Sequence, residues 1–158
     1  MLLVFMLLAK PVPVSISGIK NLGGSYNAVL VDTAGDRFVL IGITEDQAFS
    51  LQMGLYGMKY FRPLTHDLFI TALDSMGWKV SKVVITSLRD NVFYSNIYFS
   101  KGKRSFILDA RPSDALCLAA RAGCPVLVEE EVLDKYMEDF KRMLENMMWG
   151  EEEGEIGI

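Results

Sequence analysis

Two runs of three β-rich segments, each followed by a segment with helical spacing, predict an α+β fold with mixed or antiparallel sheets. The order strand-strand-strand-helix occurs twice, which predicts an internal duplication, and a further helix closes the chain. At 158 residues the chain has room for one domain with a real core and is short for two. The expected domain covers 12–128, a C-terminal helix covers 129–149, and an acidic, disordered tail covers 150–158.

The elements follow in order. Val12–Ile19 alternates, Gly23-Gly24 breaks it, and Tyr26–Asp32 is β-rich. Ala34-Gly35-Asp36 turns the chain into Arg37–Ile43. Thr44 then opens a helix running through Tyr56, with Glu45 and Asp46 in its first turn and Ala48, Phe49, Leu51, Gln52 and Leu55 at helical spacing. Gly54 and Gly57 weaken its end. A second helix, Thr65 to Met76, is expected to bury Leu68, Phe69, Ala72, Leu73 and Met76. That face turns Asp67 away from the core and leaves His66 at its edge. Gly77 stops this helix.

The second half restarts the pattern. Lys82–Leu88 is a strand, Asp90-Asn91 a turn, Val92–Phe99 a clean alternation, and Lys101-Gly102-Lys103 leads into Ser105–Asp109. Pro112–Ala122 reads as a helix apolar on most sides, hence buried, with Asp114, Cys117 and Arg121 as its one different stripe. Aligning Arg37–Leu51 with Ser105–Ala119 pairs Phe38 with Phe106, Leu40 with Leu108 and Asp46 with Asp114. After Gly123 comes a short strand, Val126–Val128. The last helix, Val132–Trp149, carries a narrow apolar stripe through Leu133, Tyr136, Phe140 and Leu144, which suits the chain's own sheet or a partner subunit equally.

Half of the residues are hydrophobic (51%) and mean hydropathy is +0.24, so a homodimer or larger homo-oligomer is expected. A net charge of −4 excludes broad electrostatic attraction to nucleic acid. Much of the excess lies in Glu151, Glu152, Glu153 and Glu155, leaving a near-neutral body that has room for a small basic site. Cys117 and Cys124 read as small apolar residues on one helical face, too far apart for a disulfide, in a reducing compartment. Met1–Leu8 is apolar but too short to span a bilayer and a poor signal peptide. It reads as a strand or the product of an upstream start, with Met6 as the alternative start. No membrane segment and a cytoplasmic location are expected.

Two motifs nearly repeat: Arg62-Pro63-Leu64-Thr65-His66-Asp67-Leu68 and Asp109-Ala110-Arg111-Pro112-Ser113-Asp114-Ala115-Leu116. Each puts Arg-Pro and a hydroxyl residue ahead of an Asp, and an apolar helical run follows. One reading is two capped helices with arginine-paired carboxylates. The other is metal-assisted phosphodiester cleavage. In it Asp67 and Asp114 hold Mg²⁺ or Mn²⁺, Arg62, Arg111, Arg121 and Ser113 bind the substrate phosphate, and His66 moves a proton. With a single histidine, no two-histidine mechanism is available. No Walker loop, Rossmann fingerprint, GxSxG or HExxH occurs, and no organic cofactor is expected.

These motifs, with Ile41-Gly42-Ile43-Thr44-Glu45 before them and Arg121 after, make the chain resemble the bifunctional nuclease domain, also called domain of unknown function 151. The resemblance runs from about Val12 to Val128. It implies an α+β fold, self-association and, from some plant members, DNase and RNase activity with nucleic acid as partner. Two features depart from the pattern: Asp46 stands where a small residue is expected, and the loop before Asp109 is short and carries Lys101, Lys103 and Arg104. The alternative to a nuclease is a non-catalytic oligomeric binding or regulatory module whose Arg-Pro-Asp motifs are structural.

Overall fold

The computed structural model describes residues 10–149. The expectations for Met1–Leu8 and for the acidic tail fall outside them. Seven strands form one mixed sheet around which four helices pack: β1 Pro11–Leu22, β2 Ser25–Asp32, β3 Phe38–Ile43, α1 Glu45–Leu55, α2 Thr65–Ser75, β4 Lys79–Arg89, β5 Val92–Lys101, β6 Arg104–Ala110, α3 Pro112–Ala122, β7 Val126–Glu129 and α4 Glu130–Trp149.

Turn chemistry explains the hairpins. Gly23 and Gly24 take φ of 60° and 91° between paired Leu22 and Ser25. Asp90 and Asn91 take 49° and 61° between paired Arg89 and Val92. Positive φ at both central residues is what a two-residue hairpin needs to match strand twist, and Gly, Asn and Asp tolerate it.

Across the sheet the order is β3-β2-β1-β7-β4-β5-β6. Two antiparallel meanders therefore flank β7, which runs antiparallel to β1 and parallel to β4. The repeated order of elements is present in space, while the common origin of the halves rests on the sequence alignment alone. Helix α3 packs against α1, α2, β3, β4 and β5. A flat sheet would separate β3 from β5 by five strand spacings, about 24 Å. An eleven-residue helix is only about 16 Å long, so the sheet curls around α3. Its Ala115, Leu116, Cys117, Leu118 and Ala119 are buried beside Leu30, Val39 and Phe99.

Helix α4 answers the question its stripe left open. Val132 and Leu133 are buried, and Tyr136 and Phe140 set their rings edge-on to Phe38 at 6.1 and 5.1 Å. Asp32, itself buried, holds Arg37 at 3.0 Å, and Arg37 reaches Asp134 at 2.8 Å. From Lys141 to Trp149 every residue is exposed. Half of the helix thus belongs to the chain's own core.

Helix α2 corrects the expected burial. Leu73 alone on it is fully buried, whereas Leu68, Phe69 and Met76 are exposed and Ala72 with them. The half-buried residues are His66, Asp67 and Ile70. The helix is rotated so that its polar first turn faces α3, because ion pairing and hydrogen bonding there outweigh burial of the apolar row. The Cys expectation holds in part: both thiols are free and Cys117 is buried, but Cys124 lies beyond the left-handed C-cap Gly123, off the helix.

Candidate functional site

The two motifs differ in how they meet their helices. In α3, Arg111 is the N-cap and Pro112 the first helical residue. In α2 the N-cap is Leu64, so Pro63 precedes it. Both Asp residues nevertheless occupy the third helical position. Neither Thr65 nor Ser113 caps its helix, contrary to the expected hydroxyl caps. Instead Asp67 reaches back to accept the Leu64 N–H at 2.8 Å. Arg111 bonds its own Asp114 twice, at 2.8 and 3.3 Å. The longer offset in the first motif leaves Arg62 exposed and out of this cluster.

A continuous hydrogen-bonded chain joins the helices. Arg121 of α3 donates to Asp67 at 2.5 Å, to the Ser50 carbonyl at 3.0 Å, to the Cys117 carbonyl at 3.1 Å and to Ser50 Oγ at 3.2 Å. Ser50 Oγ lies 2.8 Å from His66 Nδ1, and His66 Nε2 lies 3.2 Å from Asp114 Oδ1. Arginine only donates and an ionised carboxylate only accepts, so Ser50 Oγ accepts from Arg121 and His66 Nε2 carries a proton that it donates to Asp114. A serine hydroxyl both donates and accepts, so it can serve Arg121 and His66 Nδ1 at once.

Exposure divides this network. The Arg121 side chain is 7% exposed and His66 15%, Asp114 is 32% exposed and Arg111 72%. Asp114 is therefore half-buried rather than buried as expected. Burial pushes the Asp114 carboxyl up, but the hydrogen bonds from Arg111 and His66 bring it below the usual carboxylate value. Burial likewise raises Asp67, and the Arg121 hydrogen bond and the Leu64 N–H outweigh it. Burial pushes the Cys117 thiol up to about 11, which leaves it protonated and unreactive.

The structure thus brings His66, Asp114 and Arg111 together, and Asp67 with Arg121, the two groups meeting at Ser50. Asp67 and Asp114 do not converge on one point. Each spends both oxygens on donors, and among the described residues no three His, Cys, Asp or Glu side chains come together. Asp67 and Asp114 therefore do not form one shared site for Mg²⁺ or Mn²⁺. Ser113 lies beside Arg111 on the wall of a cavity of about 780 Å³.

Sequence reasoning missed Ser50 and the reason for Gly54. Together with Gln47 they form a small and polar stripe on α1 at i, i+3 and i+7, a signal visible in the sequence. A Cβ on Gly54 would stand 3.0 Å from the Arg121 guanidinium and 3.1 Å from Ala120 Cβ. Glycine is what lets α1 and α3 approach closely enough for Arg121 to reach Ser50.

An uncharacterised protein of Mycobacterium tuberculosis is 35% identical over 105 residues, 66% of this chain and 62% of the relative. Bifunctional nuclease 1 of Oryza sativa subsp. japonica is 26% identical over 105 residues, 65% of this chain and 32% of that protein. Bifunctional nuclease 2 of Arabidopsis thaliana is 28% identical over 91 residues, 56% of this chain and 28% of that protein. The match therefore spans less than two thirds of the mycobacterial relative and under a third of the plant proteins. The model of the bifunctional nuclease domain matches residues 28–141, a stretch that begins in β2, takes in both motif helices and ends within α4. The chain belongs to the bifunctional nuclease domain family.

Proposed function

We propose that this protein cleaves nucleic-acid phosphodiesters: Arg111 and Ser113 receive the phosphate, water displaces one ester oxygen, and His66 gives its Nε2 proton to that leaving oxygen in place of Asp114 and regains one from the attacking water. The observation that carries this is the exposed Arg111, held by a carboxylate that also orients a histidine. The guanidinium offers donors in the fork geometry that suits phosphate oxygens. Asp114 sets the direction of both Arg111 and the imidazole, and Ser50 holds the ring from the other side. Asp67 and Arg121 hold α2 against α3. No step is routed through a metal ion, and the expected need for Mg²⁺ or Mn²⁺ is decided by assay.

The test is cleavage of single-stranded and duplex DNA and RNA by purified protein with Mg²⁺, Mn²⁺ or EDTA, beside Arg111→Gln. Wild type should cleave, and the variant should be slower by roughly 100-fold or more. Equal rates would assign the activity to a contaminant. One observation favours the alternative of a non-catalytic module: arginines neutralise both motif carboxylates, as in a scaffold. Inactive wild type in every arm would carry that alternative.

We also propose self-association as a homodimer or larger, with a second copy covering the apolar row that α2 turns outward. Leu68 is 63% exposed and Met76 56%, and contiguous apolar surface of this kind marks association.

A further inference from the structure

The cavity beside Arg111 is larger than a phosphate needs. Its volume of about 780 Å³ falls within the roughly 300–1,000 Å³ of small-ligand clefts. One wall is polar. Arg111 lies there with its largely exposed guanidinium, and Ser113 beside it is 7% exposed. The Ser113 hydroxyl caps nothing and makes no hydrogen bond among the described residues, and its N–H, one residue into α3, has no helical acceptor. The Ser113 hydroxyl is unpartnered yet not sealed from the cavity, so this wall offers donors to an acceptor-rich group.

Most of the remaining lining is apolar or aromatic, with Thr44, Gln47, Asn91 and Asp139 as its polar members. Phe93 comes from β5, and Tyr136 and Phe140 from α4. Their rings stand 5.9 Å (Phe93–Tyr136) and 6.3 Å (Tyr136–Phe140) apart between centroids. Asp139, the acidic side chain on the lining, is paired with Arg142 at 3.5 Å. A ligand with an anion at one end and a flat apolar body at the other suits this lining.

We propose that this cavity holds one nucleotide of the substrate, phosphate on Arg111 and Ser113 and base against Phe93 and Phe140. The proposal rests on the nuclease reading above and narrows it to single-stranded substrates, because a paired and stacked base cannot turn into such a cleft.

Titration calorimetry on the full chain tests it, with adenosine monophosphate, inorganic phosphate and adenosine as probes. Adenosine monophosphate should bind at least tenfold tighter than either fragment. Phe93→Leu, which keeps apolar volume, should weaken the nucleotide severalfold and leave phosphate unchanged, whereas Ser113→Ala should weaken both. Melting curves of each variant establish that it is folded. Nucleotide and phosphate binding equally, or a nucleotide indifferent to Phe93→Leu, would overturn the proposal, as would equal cleavage of duplex and single strand. The two readings fail separately. Nucleotide bound with this pattern but no cleavage removes the nuclease and keeps the cleft. Cleavage without nucleotide binding does the reverse.

Discussion

Asp67 and Asp114 look interchangeable in the sequence and have different work in the structure. Asp67 holds a nearly buried arginine and the start of α2, so Asp67→Asn should cost about 1–3 kcal/mol from the unmet donor. At roughly 2–4 °C per kcal/mol for a domain of this size, thermal melting should show a drop of several degrees. An unchanged melting temperature would mean that Arg121 finds another acceptor. Acid offers a second check. Both carboxylates lie below the usual value of 3.8, so their pairs add stability that is fully present above that pH and is lost as pH falls through the lowered folded values. Melting temperature should therefore fall on acidification below about pH 3.8, and Asp114→Asn should flatten that decline. A decline of the same steepness in the variant would show that Asp114 is unpaired in solution. The sequence made His66, Asp114 and Arg111 legible because the motif sets them at a helix start. It showed Ser50 only as one member of a polar stripe on α1, because its role exists only once α1, α2 and α3 meet.

Among the elements, hairpins were the most legible, since Gly-Gly and Asp-Asn at two-residue turns carry their own backbone preference. The face of α2 was the least. An apolar row of Leu68, Phe69, Ala72 and Met76 looks inward by periodicity, yet the polar residues of its first turn have partners that only tertiary structure supplies. Gly54 was read as weakening a helix end, and α1 does end at Leu55, but the residue is also a contact. Gly54→Ala gains helix propensity of about 1 kcal/mol. It also places a methyl against Ala120 Cβ, which is fixed to its backbone, and against a clamped Arg121. Overpacking of this kind costs about 1–3 kcal/mol, so the variant should melt at a lower temperature than wild type. A higher melting temperature would mean that α1 and α3 separate without cost.

At the scale of the molecule, the expected α+β class is the one found. The curl of the sheet around α3 was not readable, because strand order depends on β7 entering between two meanders far from it in sequence. No helix among the described residues is long and apolar enough to cross a membrane. Light scattering should find wild type larger than a monomer, and Leu68→Glu with Met76→Glu should dissociate it while Leu73 keeps α2 in place. Monodisperse monomer at micromolar concentration would contradict self-association, and an intact oligomer in the double variant would place the interface elsewhere. The whole account turns on a division of roles between neighbours on one helix. Cleavage rate and melting temperature measured together for His66→Gln and Asp67→Asn test it most directly. The account predicts that His66→Gln loses roughly 100-fold or more in rate with a smaller loss of stability than Asp67→Asn, which stays active wherever it is folded. A folded Asp67→Asn without activity, beside an active His66→Gln, would contradict it.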